Sequence, residues 1–152
     1  MPVKNHPFFM APAGAVFAVA IAPDRWGFVR FFRGQSMGVL SLVGRAPVMP
    51  DVDWSKPPIK WIFFSFAPRK DSTQAVALGI VSFENESAEW APPCFDPPDV
   101  IESCYRIHER GMIRKPATAK DVEGMMQCRT VTPTLLAQFL RDRLEAGDLK
   151  PV

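Results

Sequence analysis

Groups suited to catalysis are scarce in this chain. Its 152 residues include two histidines, His6 and His108, and a single tyrosine. No glycine-rich phosphate loop and no nucleophile elbow occurs anywhere in it. His6 lies in a proline-containing lead-in, so histidine acid–base chemistry would fall to His108. Cysteine is sparse as well: Cys94, Cys104 and Cys128 are an odd set without the spacings of a disulfide framework, and reduced cytoplasmic thiols are expected. No apolar run reaches the ~18 residues that a membrane helix needs. Lysine and arginine are missing from Asp71 to Tyr105, a stretch that holds Asp71, Glu84, Glu86, Glu89, Asp96, Asp99 and Glu102. The segment therefore carries −7 and the rest of the chain +9, although the net charge is only +2. That net value is too small to attract nucleic acid or a membrane surface by itself.

Proline and phenylalanine are plentiful. Sixteen prolines are about twice the ~5% share of an average protein, and they predict short elements joined by irregular loops. The apolar content of 47% suffices for a single packed domain over residues 1–152. Gly14 opens an apolar run through Ile21 that reads as a strand covered on both faces. Pro23-Asp24 is turn chemistry, and Arg25 to Arg33 then returns as a second strand. Met37 to Val43, Ile59 to Phe66, Gln74 to Phe83 and Tyr105 to Glu109 read as further strands. The stretch from Phe8 to Ala22, preceded by Lys4, also has the outline of a secretory leader ending at Ala20-Ile21-Ala22; Pro12, Gly14 and Pro23 oppose that reading.

After Pro116 the pattern becomes helical. Thr118 with Asp121 reads as a cap for a short helix that Gly124 weakens. Thr132 and Pro133 then start a clear helix, with Leu135, Leu136, Phe139, Leu140 and Leu144 on one stripe and Gly147 as the stop. Strands followed by helices predict an α+β fold: a mainly antiparallel, curved or barrel-like sheet of five to seven strands over residues 14–109, then one or two helices over 117–147.

Four constellations bear on chemistry. Cys104 and His108 are four apart; on a strand that is about 13 Å, too far for one metal ion. A zinc set of Cys94, Cys104, His108 and Cys128 lacks the usual close pairs, so neither metal nor cofactor is expected. The acid pairs Asp51/Asp53 and Glu84/Glu86 fall in loops, where solvated carboxylates are ordinary. On strand 25–33, Trp26, Phe28, Arg30 and Phe32 alternate with Arg25, Val29, Phe31 and Arg33. Interleaved rings and cations suit a single-stranded nucleic-acid platform, whereas the same rings serve equally as core; Trp61, Phe63 and Phe64 likewise read as core.

The run from Gly14 to Ile21, the Pro-Asp-Arg turn and Trp26-Gly27-Phe28-Val29-Arg30 resemble the opening of the immunity protein 26 family. Leu78-Gly79-Ile80, the proline-rich loop and Tyr105-Arg106-Ile107 extend the likeness to about Ile107. The resemblance implies a non-enzymatic, antitoxin-like protein of a bacterial polymorphic toxin system, which protects its cell by binding a cognate toxin domain, often a nuclease. It brings no catalytic residues. Joined to the charge pattern, it suggests a docking face in which Glu84, Glu86, Glu89, Asp96 and Asp99 meet a basic toxin surface, with Trp90 and Phe95 as apolar anchors.

Overall fold

The computed structural model describes residues 11–34, 36–65, 75–131 and 133–152. His6, the turn read at Pro68 to Ser72 and the Thr132 cap lie outside the described residues. Among the described residues, eleven strands and one α-helix follow in chain order: β1 (Ala15–Ala22), β2 (Arg25–Phe31), β3 (Ser36–Leu40), β4 (Leu42–Val43), β5 (Ile59–Ser65), β6 (Ala75–Ile80), β7 (Cys94–Asp96), β8 (Tyr105–Glu109), β9 (Met112–Ala117), β10 (Met126–Val131), α1 (Pro133–Glu145) and β11 (Lys150–Pro151).

Nine strands form one sheet in the order β6-β1-β2-β3-β5-β10-β7-β8-β9, and β11 pairs with β4 in a small second sheet. The α+β expectation therefore holds, with more strands than foreseen. The sheet is open and not a barrel, with β6 and β9 at its edges. It is mostly antiparallel, but β10 runs parallel to both β5 and β7.

The meander β1-β2-β3 forms as the sequence suggests, Phe17 facing Val29 and Val29 facing Val39. Both faces of these strands are buried because each has its own cover. On one face, Phe17, Val19, Val29, Phe31 and Phe63 pack under Leu136 and Leu140 of α1. Gly27 lets that helix approach, since a Cβ there would lie 2.7 Å from Leu140 Cδ1. On the other face, Phe28, Leu40 and Leu42 pack under Val52 and Trp54 of the long proline loop. β1 lies inside the sheet, with Val16, Ala18 and Val19 fully buried, so cleavage after Ala22 would delete a core strand.

Three expectations are corrected. The sheet does not end at residue 109: β9 and β10 carry it through the region read as partly helical. Thr118 and Asp121 do not start a helix; the Thr118 backbone N–H and hydroxyl donate to Asp121 Oδ2 at 2.7 and 2.9 Å and close a turn. Cys94 and Cys128 are not free thiols but a disulfide between the neighbouring strands β7 and β10, with Cα atoms 5.3 Å apart. Only Cys104 remains free. No helix among the described residues is long and apolar enough to cross a membrane.

Candidate functional site

Residues 84–102 of the acid-rich stretch run along the β7-β8-β9 end of the sheet. A single 3₁₀ turn at Ser87–Glu89 precedes Trp90, and β7 pairs with β8 between two proline pairs. The acids separate into two groups, each drawn to cations from elsewhere in the chain. Glu86 and Glu89 lie 3.3 and 4.0 Å from Arg33 Nη1. Asp96 and Asp99 lie 3.5 and 3.4 Å from Arg106, and Glu102 accepts from Lys115 Nζ at 2.9 Å. Glu84 is exposed. Five of these six acids thus face a cation of the same chain, although three cations offset only three of the six charges, and the stretch is not a continuous bare anionic face.

The two aromatic residues also take different places. Trp90 is half-buried beneath the Arg33 guanidinium, 5.2 Å from its ring centre. Phe95 faces inward, packed with Ile107, Ala117 and Val122 and 5.9 Å from the Tyr105 ring. Phe95 is therefore a packing residue. What does project is the turn that follows. Asp99 Oδ1 accepts from the backbone N–H groups of Ile101 (2.8 Å) and Glu102 (2.7 Å), and the Asp99 N–H donates to Glu102 O at 2.8 Å. These bonds, that of Glu102 first, hold the Asp99 carboxyl below its usual pKa. At the apex Val100 and Ile101 are 103% and 92% exposed. Their fixed exposure was hidden in the sequence, where a lone Val-Ile pair in a polar loop carries no periodic signal.

Beside this stretch lies a pocket of about 310 Å³, lined among others by Arg33, Trp90, Asp96, His108, Met112 and Ile113. On its wall His108 Nε2 and Asp96 Oδ2 are 2.6 Å apart. Asp96, His108 and Cys128 each offer a ligand atom within 4.8 Å of the others. Such a pair can exchange a proton; the trio has the donor types of a cation site only with Cys128 as a free thiolate, and here its sulfur is bonded to Cys94. Cys104 takes no part in that trio.

A second pocket of about 420 Å³ holds Arg30, Trp54 and Phe83 in its wall. Arg30 is 2% exposed and donates to the carbonyls of Trp54, Val81 and Ser82 at 3.2, 2.7 and 3.2 Å. The Phe83 ring centre lies 3.8 Å from its guanidinium carbon, and burial lowers its pKa. Arg30 thereby ties two loops to the sheet. Phe28, Arg30 and Phe32 are all buried, as are Val29 and Phe31 on the other face, so β2 offers no open platform on which bases could stack.

No family model, curated protein or solved structure matches the chain.

Proposed function

We propose that this chain is a protein-recognition domain of the immunity type, which neutralises a cognate bacterial toxin domain by direct contact. The turn at residues 99–102 is its anchor, in place of Phe95. The observation that carries this reading is the full exposure of Val100 and Ile101 on a turn fixed by three hydrogen bonds. A turn whose backbone is already fixed loses little conformational freedom on docking, and its two large apolar side chains gain by burial. Around them the Asp99–Arg106 and Glu102–Lys115 pairs form a polar rim, the arrangement of an interface hot spot with its surround.

The neighbouring edge strand suits side-chain docking better than strand addition. Residues 112–116 of β9 are exposed, but they include Arg114, Lys115 and Pro116, which discourage edge-to-edge pairing. The partner class rests on the resemblance to immunity protein 26, and Glu84 and Glu86 would add attraction toward a basic toxin surface. Co-expression with a candidate bacterial toxin domain tests the reading: growth should recover and the two chains should co-purify. A chain that neither restores growth nor retains that domain is not its immunity partner.

A further inference from the structure

The strands β7, β8 and β10 bring together four side chains that are up to 34 residues apart in sequence. Cys94 and His108 face each other across β7 and β8. Asp96 lies two residues beyond Cys94 on the same face of β7, and Cys128 reaches the same spot from β10. We propose that Cys94, Asp96, His108 and Cys128 form a redox-gated site for a zinc-class divalent cation: a disulfide when oxidised, and a four-ligand metal site when reduced.

Three of the four ligands already stand close together. Asp96, His108 and Cys128 have ligand atoms within 4.8 Å of one another, against edges of about 3.5 Å in a tetrahedral zinc site. Cys94 Sγ is bonded to Cys128 Sγ but stands outside that trio, so on reduction it starts next to one ligand and must move toward Asp96 and His108 to complete the site. Two thiolates, an imidazole and a carboxylate are a zinc-type donor set. Cys94 and Cys128 are 1% and 6% exposed, which shelters the sulfur side of such a site from competing water, while Asp96 and His108 face the pocket. Two thiolates and one carboxylate exceed the charge of a divalent ion by one. Arg106, with Nε 3.5 Å from Asp96 Oδ2, balances that excess and orients the carboxylate.

The reaction is a two-electron exchange. A dithiol reductant passes two electrons and two protons to the Cys94–Cys128 disulfide and becomes a disulfide itself. Cation binding then releases both thiol protons to solvent. With four protein ligands the ion has no open position, so its role is structural: it pins β7 and β8 to β10 when the covalent link is absent.

The test uses the full chain, reduced without oxygen, cleared of metal and titrated with Co²⁺ and then Zn²⁺. The reduced chain should bind one equivalent, show thiolate charge-transfer and tetrahedral Co²⁺ absorption, and unfold at a higher temperature with Zn²⁺. The oxidised chain should show none of these. His108→Ala should weaken Zn²⁺ by more than the roughly 100-fold that follows loss of an outer-shell partner, and Cys104→Ser should change nothing. The melting shift of the unsubstituted reduced protein is the readout that does not depend on any variant folding. A folded reduced chain that ignores Co²⁺ and Zn²⁺, or one whose affinity survives His108→Ala, overturns the proposal.

Discussion

Reducing the Cys94–Cys128 disulfide in the presence of a metal chelator should loosen one part of the molecule far more than the rest. The bond closes a loop with a sequence separation of 34. On the chain-entropy relation, a loop of that length restrains the unfolded chain by about 3.8 kcal/mol at 25 °C. For a protein of this size that is a fall in melting temperature of roughly 8–15 °C. The structure says where the loss concentrates. β7, β8 and β9 join the main sheet through β10, and the β7–β10 register covers only Met126↔Cys94 and Gln127↔Phe95. The disulfide reinforces that narrow join. Urea unfolding of the oxidised and reduced, chelated chain measures the global change, and amide hydrogen exchange locates it. Residues 94–117 should lose protection before β1, β2 and β3, which are buried on both faces. Equal unfolding midpoints, or a uniform rise in exchange, would refute this reasoning.

Arg30→Met should destabilise the chain by on the order of 3 kcal/mol in urea unfolding, because three carbonyls lose a charged donor; a change under about 0.5 kcal/mol, as at an ordinary surface site, would remove its stapling role. Gly14→Ala should be at least as harmful, since φ is +89° there and a Cβ would lie 2.6 Å from Val81 O. Strain and clash together suggest about 3 kcal/mol or more, checked by the shift in thermal midpoint. Asp53, Asp99 and Asp121 all have pKa values below the ordinary one, each held there chiefly by hydrogen bonds from Ser55, Glu102 and Thr118 respectively. A lowered folded pKa stabilises above the unfolded value and is lost as pH falls through the folded one. Stability should therefore drop below about pH 4, and Asp99→Asn with Asp121→Asn should make that fall shallower in a urea-midpoint series.

The parts of the fold legible in the sequence are those whose cause is local. Apolar runs with turn residues between them mark β1, β2, β3, β5 and β6, and the leucine stripe marks α1. β7 is three residues held between proline pairs, and β9 is an exposed edge with Pro116 in it. Neither carries the alternation that identifies a strand. β10 runs parallel to both its neighbours, a pairing that depends on sheet order and not on adjacent sequence. The same gap hid the site. Counting charges between Asp71 and Tyr105 finds seven acids, but Arg33, Arg106 and Lys115, which pair with five of them, lie outside that window. Cys94, Asp96, His108 and Cys128 have no motif spacing because three strands, not one loop, gather them.

The most direct measurement is calorimetric titration of a toxin domain that co-purifies with the chain, using the intact chain and Val100→Asp/Ile101→Asp. Both positions are fully exposed, so the variant should keep the parent's melting temperature. Burying two such side chains contributes roughly 3–6 kcal/mol, so its affinity should fall by about 10²- to 10⁴-fold. An unchanged dissociation constant in the folded variant would contradict recognition through this turn.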